Sequence, residues 1–341
     1  MSASSKTDQA AERGKPSAIR RVLYFGTFGA IVIGIVVAAV VLLLNDLLGR
    51  WSSSPPREPK ALAPGVSIMP FLSLNDSRIF PYGIAYGNGE FYVSLFGGNA
   101  VRKVTADGAM RFVAQLDAPA ALAFSGNTLY VLDYNQVGAY SSGALKAIAA
   151  DGTFRNVSDS PAARGLPLFA GLTADKQGKL YLSHPENGTL WRIAPSGAAT
   201  LFWTAPQVGN ARPSLTGLAY DRWDDSIIVA DSGTGSIYKL ITTASGVESQ
   251  LLYRQQGFDP RALAVDPASR VLIAAWRGDN GTLYRLDAAN GLVALAEGFR
   301  QPTSVIVVEN TAYVVSSGAF GLIGGVEAKP PFRVDAVQLP N

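Results

Sequence analysis

The chain of 341 residues contains no cysteine and only one histidine, His184. Without cysteine, it can form no disulfide bond and offers no thiolate as a nucleophile or metal ligand. A single imidazole also excludes the zinc sites that are built from two or three histidines. The sequence therefore leaves carboxylates and lone acid–base groups as the candidates for chemistry.

Excess positive charge is confined to the N-terminus. Residues 1–21 hold five basic and two acidic side chains, which accounts for the whole net charge of +3. The remainder of the chain is neutral, so it has no basic surface of the kind that binds nucleic acid. We expect residues 1–21 to be a basic cytoplasmic tail.

A long uncharged run follows this tail, from Val22 to Leu44. Such a run is long enough to cross a hydrocarbon core of about 30 Å. It predicts a transmembrane anchor helix over residues 22–48, in contact with the lipid bilayer. A cleaved signal peptide is the alternative, but its apolar core is normally shorter, about 7–15 residues.

The charge asymmetry around this helix predicts its orientation. Because Lys and Arg lie before it, the N-terminus should be cytoplasmic and the rest of the chain exported. The alanine-rich, cysteine-free composition is typical of a bacterial protein, so we expect the inner membrane, with the main domain periplasmic or extracellular. Residues 49–65, rich in Pro and Ser, predict a tether.

Residues 66–341 contain six copies of one pattern, in which short apolar runs alternate with turn residues. The period is about 44 residues, which is typical of a four-stranded propeller blade. The first strands of the copies begin near Pro81, Pro119, Phe169, Leu215, Pro260 and Pro302. The predicted fold class is therefore all-β, a six-bladed β-propeller of four-stranded blades, preceded by one transmembrane α-helix.

Three details of the ring follow from the pattern. The third position of each first strand is always small, which indicates that a neighbouring blade approaches closely there. The stretch Val66–Leu74 lacks a blade of its own, and we expect it to complete the sixth blade beside Phe332–Val337. The third strand of that blade is weakly marked, around Gly325–Glu327.

The loops that start each first strand, and those between second and third strands, should surround one mouth of the central channel. Such a mouth is the default position for a ligand site. Six aromatic or cationic residues of these loops are the predicted binding residues: Tyr82, Phe96, Tyr134, Arg261, Trp276 and Arg277. Blade-edge packing and solvated loops are the alternative explanation for each of them.

Catalytic and metal-binding candidates are fewer. His184 with Glu186 and Asp231 can supply acid–base chemistry, although a structural or exposed histidine is the more common case. Asp133, Asp231 and Asp279, with Glu186, can offer oxygen ligands to Ca²⁺ or Mg²⁺. Their spacing is not that of a known metal motif, so the primary expectation is no catalytic residue, no metal and no cofactor.

The motifs Pro81-Tyr82-Gly83-Ile84-Ala85, Gly97-Gly98-Asn99 and Thr105-Ala106-Asp107-Gly108 resemble those of NHL-repeat propellers and streptogramin lyases. These belong to the broad six-bladed group that includes gluconolactonases and strictosidine-synthase-like proteins. The resemblance implies the fold over residues 66–341. Lactonases of this group carry Asn or Asp beside the small residue of the first strands, and no such residue stands there in this chain, so we expect their calcium site to be absent.

These observations favour a membrane-anchored, exported propeller that acts as a non-catalytic binding or assembly module, such as an accessory subunit with a protein partner at the membrane. The first alternative is an exported streptogramin lyase-like or lactonase-like enzyme with a divalent cation at the channel mouth. The second is a sensor of sugars or polymers that uses the same aromatic residues.

Overall fold

The structure is a computed structural model that describes residue 40 and residues 58–105, 108–134, 143–157, 164–166, 168, 170–277, 280–287, 291–318 and 329–340. Within this part of the chain no helix is long and apolar enough to cross a membrane. The predicted tail, the predicted anchor apart from residue 40, and most of the tether lie outside it, as do Asp279 and residues 325–327.

The described residues form twenty-six strands: β1 (Lys60–Ala61), β2 (Ser67–Leu74), β3 (Pro81–Gly87), β4 (Glu90–Leu95), β5 (Ala100–Val104), β6 (Met110–Gln115), β7 (Pro119–Ser125), β8 (Thr128–Tyr134), β9 (Gly143–Ile148), β10 (Phe154–Asn156), β11 (Arg164–Leu166), β12 (Leu172–Ala174), β13 (Leu180–His184), β14 (Thr189–Ile193), β15 (Ala199–Thr204), β16 (Leu215–Asp221), β17 (Ser226–Asp231), β18 (Ser236–Thr243), β19 (Gly246–Arg254), β20 (Asp259–Val265), β21 (Val271–Arg277), β22 (Asn280–Asp287), β23 (Gly291–Arg300), β24 (Pro302–Val308), β25 (Thr311–Ser316) and β26 (Phe332–Gln338).

These strands make six antiparallel sheets, which confirms the predicted six-bladed propeller. Blades 1, 3 and 4 are β3–β6, β12–β15 and β16–β19 in sequence order. In blade 2, the outermost strand is divided into β10 and β11, which pair with successive parts of β9. In blade 5, β1 adds a fifth strand beside β23, so two residues of the predicted tether belong to the sheet.

The sixth blade closes the ring with the N-terminal strand. β2 pairs with β26 from Ser67 opposite Gln338 to Leu74 opposite Phe332, which confirms the predicted closure. β26 also pairs directly with β25. The third strand of this blade is therefore β26, so the expected third strand near residues 325–327 was wrong: the longer apolar alternation over 332–338 forms the strand that pairs with β25.

The centres of the second strands are fully buried in every blade. At least one residue in each of them has a relative exposure of 0%; the central ones are Val93, Val131, Leu182, Val229, Ala274 and Val314. Sheets that are buried on both faces need such continuous apolar runs instead of strict alternation. Each copy of the sequence repeat thus contributes a buried second strand to its blade.

Small residues in the first strands do admit the neighbouring blade. A Cβ atom built on Gly83, Gly171 or Gly217 would lie less than 3.0 Å from a backbone carbonyl oxygen of the next blade. These carbonyls belong to Ala120, Thr216 and Arg261, respectively. The predicted close approach is therefore confirmed at these three positions, and it brings the six first strands together around the axis.

Candidate functional site

The first strands of the six blades enclose a central channel with a volume of about 410 Å³. We call its two ends the loop face, where these strands start near Tyr82, Thr216 and Thr303, and the hairpin face, where they end near Tyr86 and Tyr220. Each first strand reverses at the hairpin face into the second strand of its blade. The channel is thus the concave feature at which a ligand site is expected.

Hydroxyl groups join neighbouring blades around this channel. Ser183 Oγ accepts a hydrogen bond from the Gly171 N–H at 2.6 Å and donates one to the Thr216 carbonyl at 3.0 Å. Thr303 Oγ1 donates to the Tyr82 carbonyl at 2.6 Å, which links the sixth blade to the first. These polar side chains therefore satisfy backbone groups, which is a structural role.

Three predicted binding residues lie together but are buried. Tyr82, Phe96 and Tyr134 have relative exposures of 4%, 1% and 1%. The rings of Tyr82 and Phe96 stack with centroids 5.6 Å apart, and Phe96 and Tyr134 are separated by 6.4 Å. Burial raises the pKa of Tyr134 well above its ordinary value. These rings form a packed aromatic cluster instead of the exposed mouth that their loop positions had indicated.

Arg261 and Trp276 also meet as expected. The Arg261 guanidinium lies 4.7 Å from the centre of the Trp276 ring. Its Nη2 donates to Asp259 Oδ2 at 2.9 Å, and burial raises the pKa of Asp259 despite this cation. The Trp276 Nε1–H donates to the Pro302 carbonyl at 2.7 Å. Both residues line the channel, whereas only the backbone of Arg277, at the end of β21, is described.

The candidate carboxylate Asp231 is fully buried and holds a loop in place. Its Oδ1 accepts hydrogen bonds from the N–H groups of Ser214, Gly233 and Thr234 at 2.7, 3.1 and 3.2 Å. Its Oδ2 accepts one from Thr234 Oγ1 at 2.6 Å. Sequence reasoning missed this role, although the Asp-Ser-Gly-Thr turn contained the signal for it.

Asp133 occupies the same position at the end of the second strand of blade 2. Its Oδ1 accepts from the N–H groups of Asp117 and Ala118 at 3.1 and 2.8 Å. Lys146 Nζ lies 2.6 Å from its Oδ2. In blades 2 and 4, therefore, an aspartate ties the second strand to the connection that starts the blade.

His184 takes this position in blade 3, as the last residue of β13. Its Nδ1 is buried and has no hydrogen-bond partner among the described residues. Burial lowers the pKa of the imidazole, and the nearby Glu186 opposes this shift. His184 and Glu186 are thus close, but neither lines the channel, and Asp231 lies in the next blade.

Within the described residues, no group of three or more His, Asp or Glu side chains is placed to hold a metal ion. Asp133 and Asp231 are engaged in separate blades, and Asp279 lies outside the described part. The cation at the channel mouth stays a prediction.

The hairpin face carries lining residues that sequence reasoning did not select. Tyr86, Phe124, Tyr220 and Arg222 all line this end of the channel. Tyr220 donates a hydrogen bond to Asp225 Oδ1 at 2.6 Å. Burial, followed by this carboxylate, raises the pKa of Tyr220 to about 12. In the sequence, the feature that could have indicated these residues was the turn 221–225, which is unusual because it lacks glycine.

No protein-family profile and no curated protein sequence matches this chain. Its fold does match solved structures. A gluconolactonase of Xanthomonas campestris aligns with 12% identity and a TM-score of 0.61, over 85% of this chain and 96% of the other. A virginiamycin B lyase of Staphylococcus aureus aligns with 16% identity and a TM-score of 0.54, over 83% of this chain and 100% of the other.

A putative gluconolactonase gives a similar result, with 14% identity, a TM-score of 0.59, and coverage of 82% and 96%. At such identities the likeness concerns the fold and not the chemistry. The six-bladed propeller of this chain is therefore of the same fold as the gluconolactonase and streptogramin B lyase structures.

Proposed function

We propose that this chain is a membrane-anchored, exported β-propeller that serves as a non-catalytic binding or assembly module for a membrane protein complex. The observation that carries the proposal is the hydrogen bonding of the Asp231 carboxylate. All of its described donors are groups of its own loop or of the preceding connection. A carboxylate that is saturated in this way stabilises a loop and is poorly placed to accept a substrate proton.

The lining of the channel supports the same function. Its described charged residues are Arg222 and Arg261, and no carboxylate or histidine is among them. Walls of this kind can bind a ligand but offer no obvious general base. The apolar run of residues 22–44 supports the membrane location and the export of the propeller.

Gentle detergent extraction of the native protein, followed by mass spectrometry of the bound material, tests the proposal. We expect a stoichiometric membrane protein to stay with the full chain, and to be lost when residues 1–48 are removed. A clean monomer across several detergents would contradict the assembly module.

An exported lyase-like or lactonase-like enzyme is the second candidate. It is favoured by the fold of the solved structures and by the Nδ1 of His184, which has no hydrogen-bond partner among the described residues and lies near Glu186. A histidine without a partner can accept a proton if a substrate reaches it.

Turnover of lactones and of a streptogramin B antibiotic, measured with and without Mg²⁺ or Ca²⁺, tests this candidate. Activity that is lost in His184→Gln, in a variant that stays folded, would establish the enzyme. Absence of turnover under all of these conditions would leave the binding module as the better account.

A further inference from the structure

A second concave feature lies on blade 4, at the end of the blade where its first strand starts. It is a cleft with a volume of about 520 Å³, and none of its described lining residues belongs to the central channel. Three connections enclose it: residues 208–211 before β16, residues 232–235 between β17 and β18, and residues 256–259 between β19 and β20. Its volume is within the range of small-molecule sites.

Arg254, the last residue of β19, lines this cleft and lies opposite Ser236 of β18. Its Nε donates a hydrogen bond to Ser236 Oγ, and its Nη2 donates one to Tyr238 Oη, each at 2.9 Å. Both acceptors are buried, and they lie on the same face of β18 because they are two positions apart. The two hydroxyl groups therefore hold one edge of the guanidinium, the edge that Nε and Nη2 form.

A chain of hydroxyl groups connects this arginine with the buried Asp231. Thr234 Oγ1 donates a hydrogen bond to Asp231 Oδ2 at 2.6 Å. Because Thr234 has a single hydroxyl proton, Ser236 Oγ supplies the proton of the 2.8 Å hydrogen bond between these two hydroxyls. The Ser236 oxygen is then left to accept the Nε–H of Arg254. Asp231 thus orients the guanidinium through two hydroxyls, without an ion pair between them.

The positive charge of Arg254 is not paired within the described part of the chain. Its hydrogen-bond acceptors there are the two neutral hydroxyls, and the residue is exposed. The other described charge in the lining, Asp259, is paired with a different cation, because its Oδ1 lies 2.7 Å from Arg261 Nε. The cleft therefore has one positive charge that an anion from solution can neutralise.

The free edge of the guanidinium matches a carboxylate. A guanidinium has five N–H groups, and Ser236 and Tyr238 accept two of those of Arg254. The outer edge, which Nη1 and Nη2 form, can donate two parallel hydrogen bonds to the two oxygens of one carboxylate. Because a single cation is available, a monovalent anion fits the site better than a divalent one.

The rest of the lining is mixed in character. Val208, Ala211 and Phe258 supply apolar surface and are half-buried, whereas Asn210 and Gln256 are exposed amides. A ligand with a small, partly apolar body can therefore be covered while its polar groups stay hydrated or bind the amides.

We propose that this cleft binds a small monocarboxylate, with its carboxylate on the outer edge of Arg254 and its body between residues 208–211 and 256–259. Asp231 and the hydroxyls of Thr234 and Ser236 position the arginine. The site goes beyond the proposed function, because it requires neither a membrane partner nor a catalytic group.

The probe is 4-fluorobenzoate, and 4-fluorobenzamide is its neutral control of the same shape. Fluorine NMR titration of the full chain in detergent, with a protein-free detergent blank, should show saturable binding of the benzoate. The benzamide should bind at least about tenfold more weakly, because it lacks the charge-assisted hydrogen bonds.

Variants of Arg254 test the group that binds the anion. Arg254→Gln should reduce the affinity for 4-fluorobenzoate by about tenfold or more. Arg254→Lys keeps the charge but lacks the planar pair of donors, so it should reduce the affinity at least about threefold. The matched control, Arg155→Gln, changes an exposed arginine on β10 of blade 2 and should leave the affinity unchanged.

Ala211→Phe tests the cleft separately from its charge. The larger side chain fills part of the cleft and leaves Arg254 in place, so the affinity should fall by about tenfold. Thermal midpoints of all variants establish that a lost signal reflects lost binding and not unfolding. The comparison of benzoate with benzamide needs no variant and tests the anion site on the unchanged chain.

Equal affinity for 4-fluorobenzoate and 4-fluorobenzamide, or no effect of Arg254→Gln, would overturn the anion site. Full affinity in Arg254→Lys would overturn the paired hydrogen bonds, and full affinity in Ala211→Phe would overturn the cleft as the location. Tighter binding of phenyl phosphate than of the benzoate would overturn the choice of a monocarboxylate. Absence of saturable benzoate binding would overturn the proposal as a whole. None of these outcomes bears on whether a membrane protein co-purifies with the chain.

Discussion

Ser94 donates a hydrogen bond from its hydroxyl group to the backbone carbonyl of Ala120, 2.6 Å away in the next blade. The same oxygen accepts a hydrogen bond from the N–H of Gly83 at 2.8 Å. Ser183 repeats this arrangement between the third and fourth blades. One serine at the end of a second strand thus fastens two first strands at the wall of the channel.

Replacement of these serines should weaken the ring. Ser94→Ala leaves a buried N–H and a buried carbonyl without a partner, which should lower the free energy of unfolding by about 1–3 kcal/mol. Ser183→Ala should have a similar effect, and the double variant should be additive because the two sites share no contact. Urea unfolding measures the change.

Ser249→Ala is the matched control, because Ser249 is exposed on the outer strand β19. It should change the free energy of unfolding by less than about 0.5 kcal/mol. If Ser94→Ala is as stable as this control, the bridge contributes nothing to the association of the blades.

Ring closure by β2 should be essential to the propeller. β2 covers β26, in which Phe332, Val334 and Val337 have relative exposures of 0%. A variant that begins at Asn75 lacks β2, exposes these side chains and leaves an unpaired edge, so it should aggregate or lose cooperative unfolding. Size-exclusion chromatography and thermal denaturation measure both effects.

Two shorter truncations are the controls for this experiment. A variant that begins at Glu58 keeps every described strand, and one that begins at Val66 loses only the two-residue strand β1. Both should unfold cooperatively as monomers. A folded monomer that begins at Asn75 would show that the ring closes without β2.

His184 should make stability depend on pH below neutrality. Burial lowers the pKa of its imidazole in the folded chain, so the unfolded chain binds a proton at a higher pH than the folded chain. Both states are neutral above the ordinary value of about 6.5, and stability should fall as the pH drops below it. Thermal midpoints at pH 7.5 and 5.5 measure this loss.

His184→Gln should show a smaller loss over the same interval. Because His184 is the single histidine, its ring resonances also report the pKa directly by NMR titration. A pKa at or above 6.5 in the folded protein would contradict the predicted loss of stability at low pH.

Asp231 should be more important for stability than for activity. Asp231→Ala removes the acceptor for three backbone N–H groups and should cost about 2–3 kcal/mol in the free energy of unfolding, as judged by urea denaturation. Asp231→Asn retains an acceptor oxygen and should cost less. If an activity is found that Asp231→Asn abolishes without a loss of stability, Asp231 is catalytic and the structural role is secondary.

The candidate site shows where sequence reasoning reached its limit. The loop positions of Tyr82, Phe96 and Tyr134 correctly indicated that these residues lie together. The sequence did not show that their rings pack against one another instead of facing solvent. In the same way, the sequence did not show that the Asp231 carboxylate accepts a hydrogen bond from Ser214, which precedes the neighbouring first strand.

The sequence alone determined the number of blades, their order and the close contact at Gly83, Gly171 and Gly217. These features are local: strand-length apolar runs, turn residues and a small side chain repeat at a fixed period and need no partner to be recognised. It also placed β2 beside β26, since a strand without a blade must find an edge.

Only the tertiary structure decided which residues line the channel and which charges are already paired. Arg222 and Trp276 are 54 positions apart in the sequence, yet both line one cavity. Such relations arise from the way in which the six blades close around an axis. No single blade contains them, because each depends on side chains that distant repeats contribute to the same small volume.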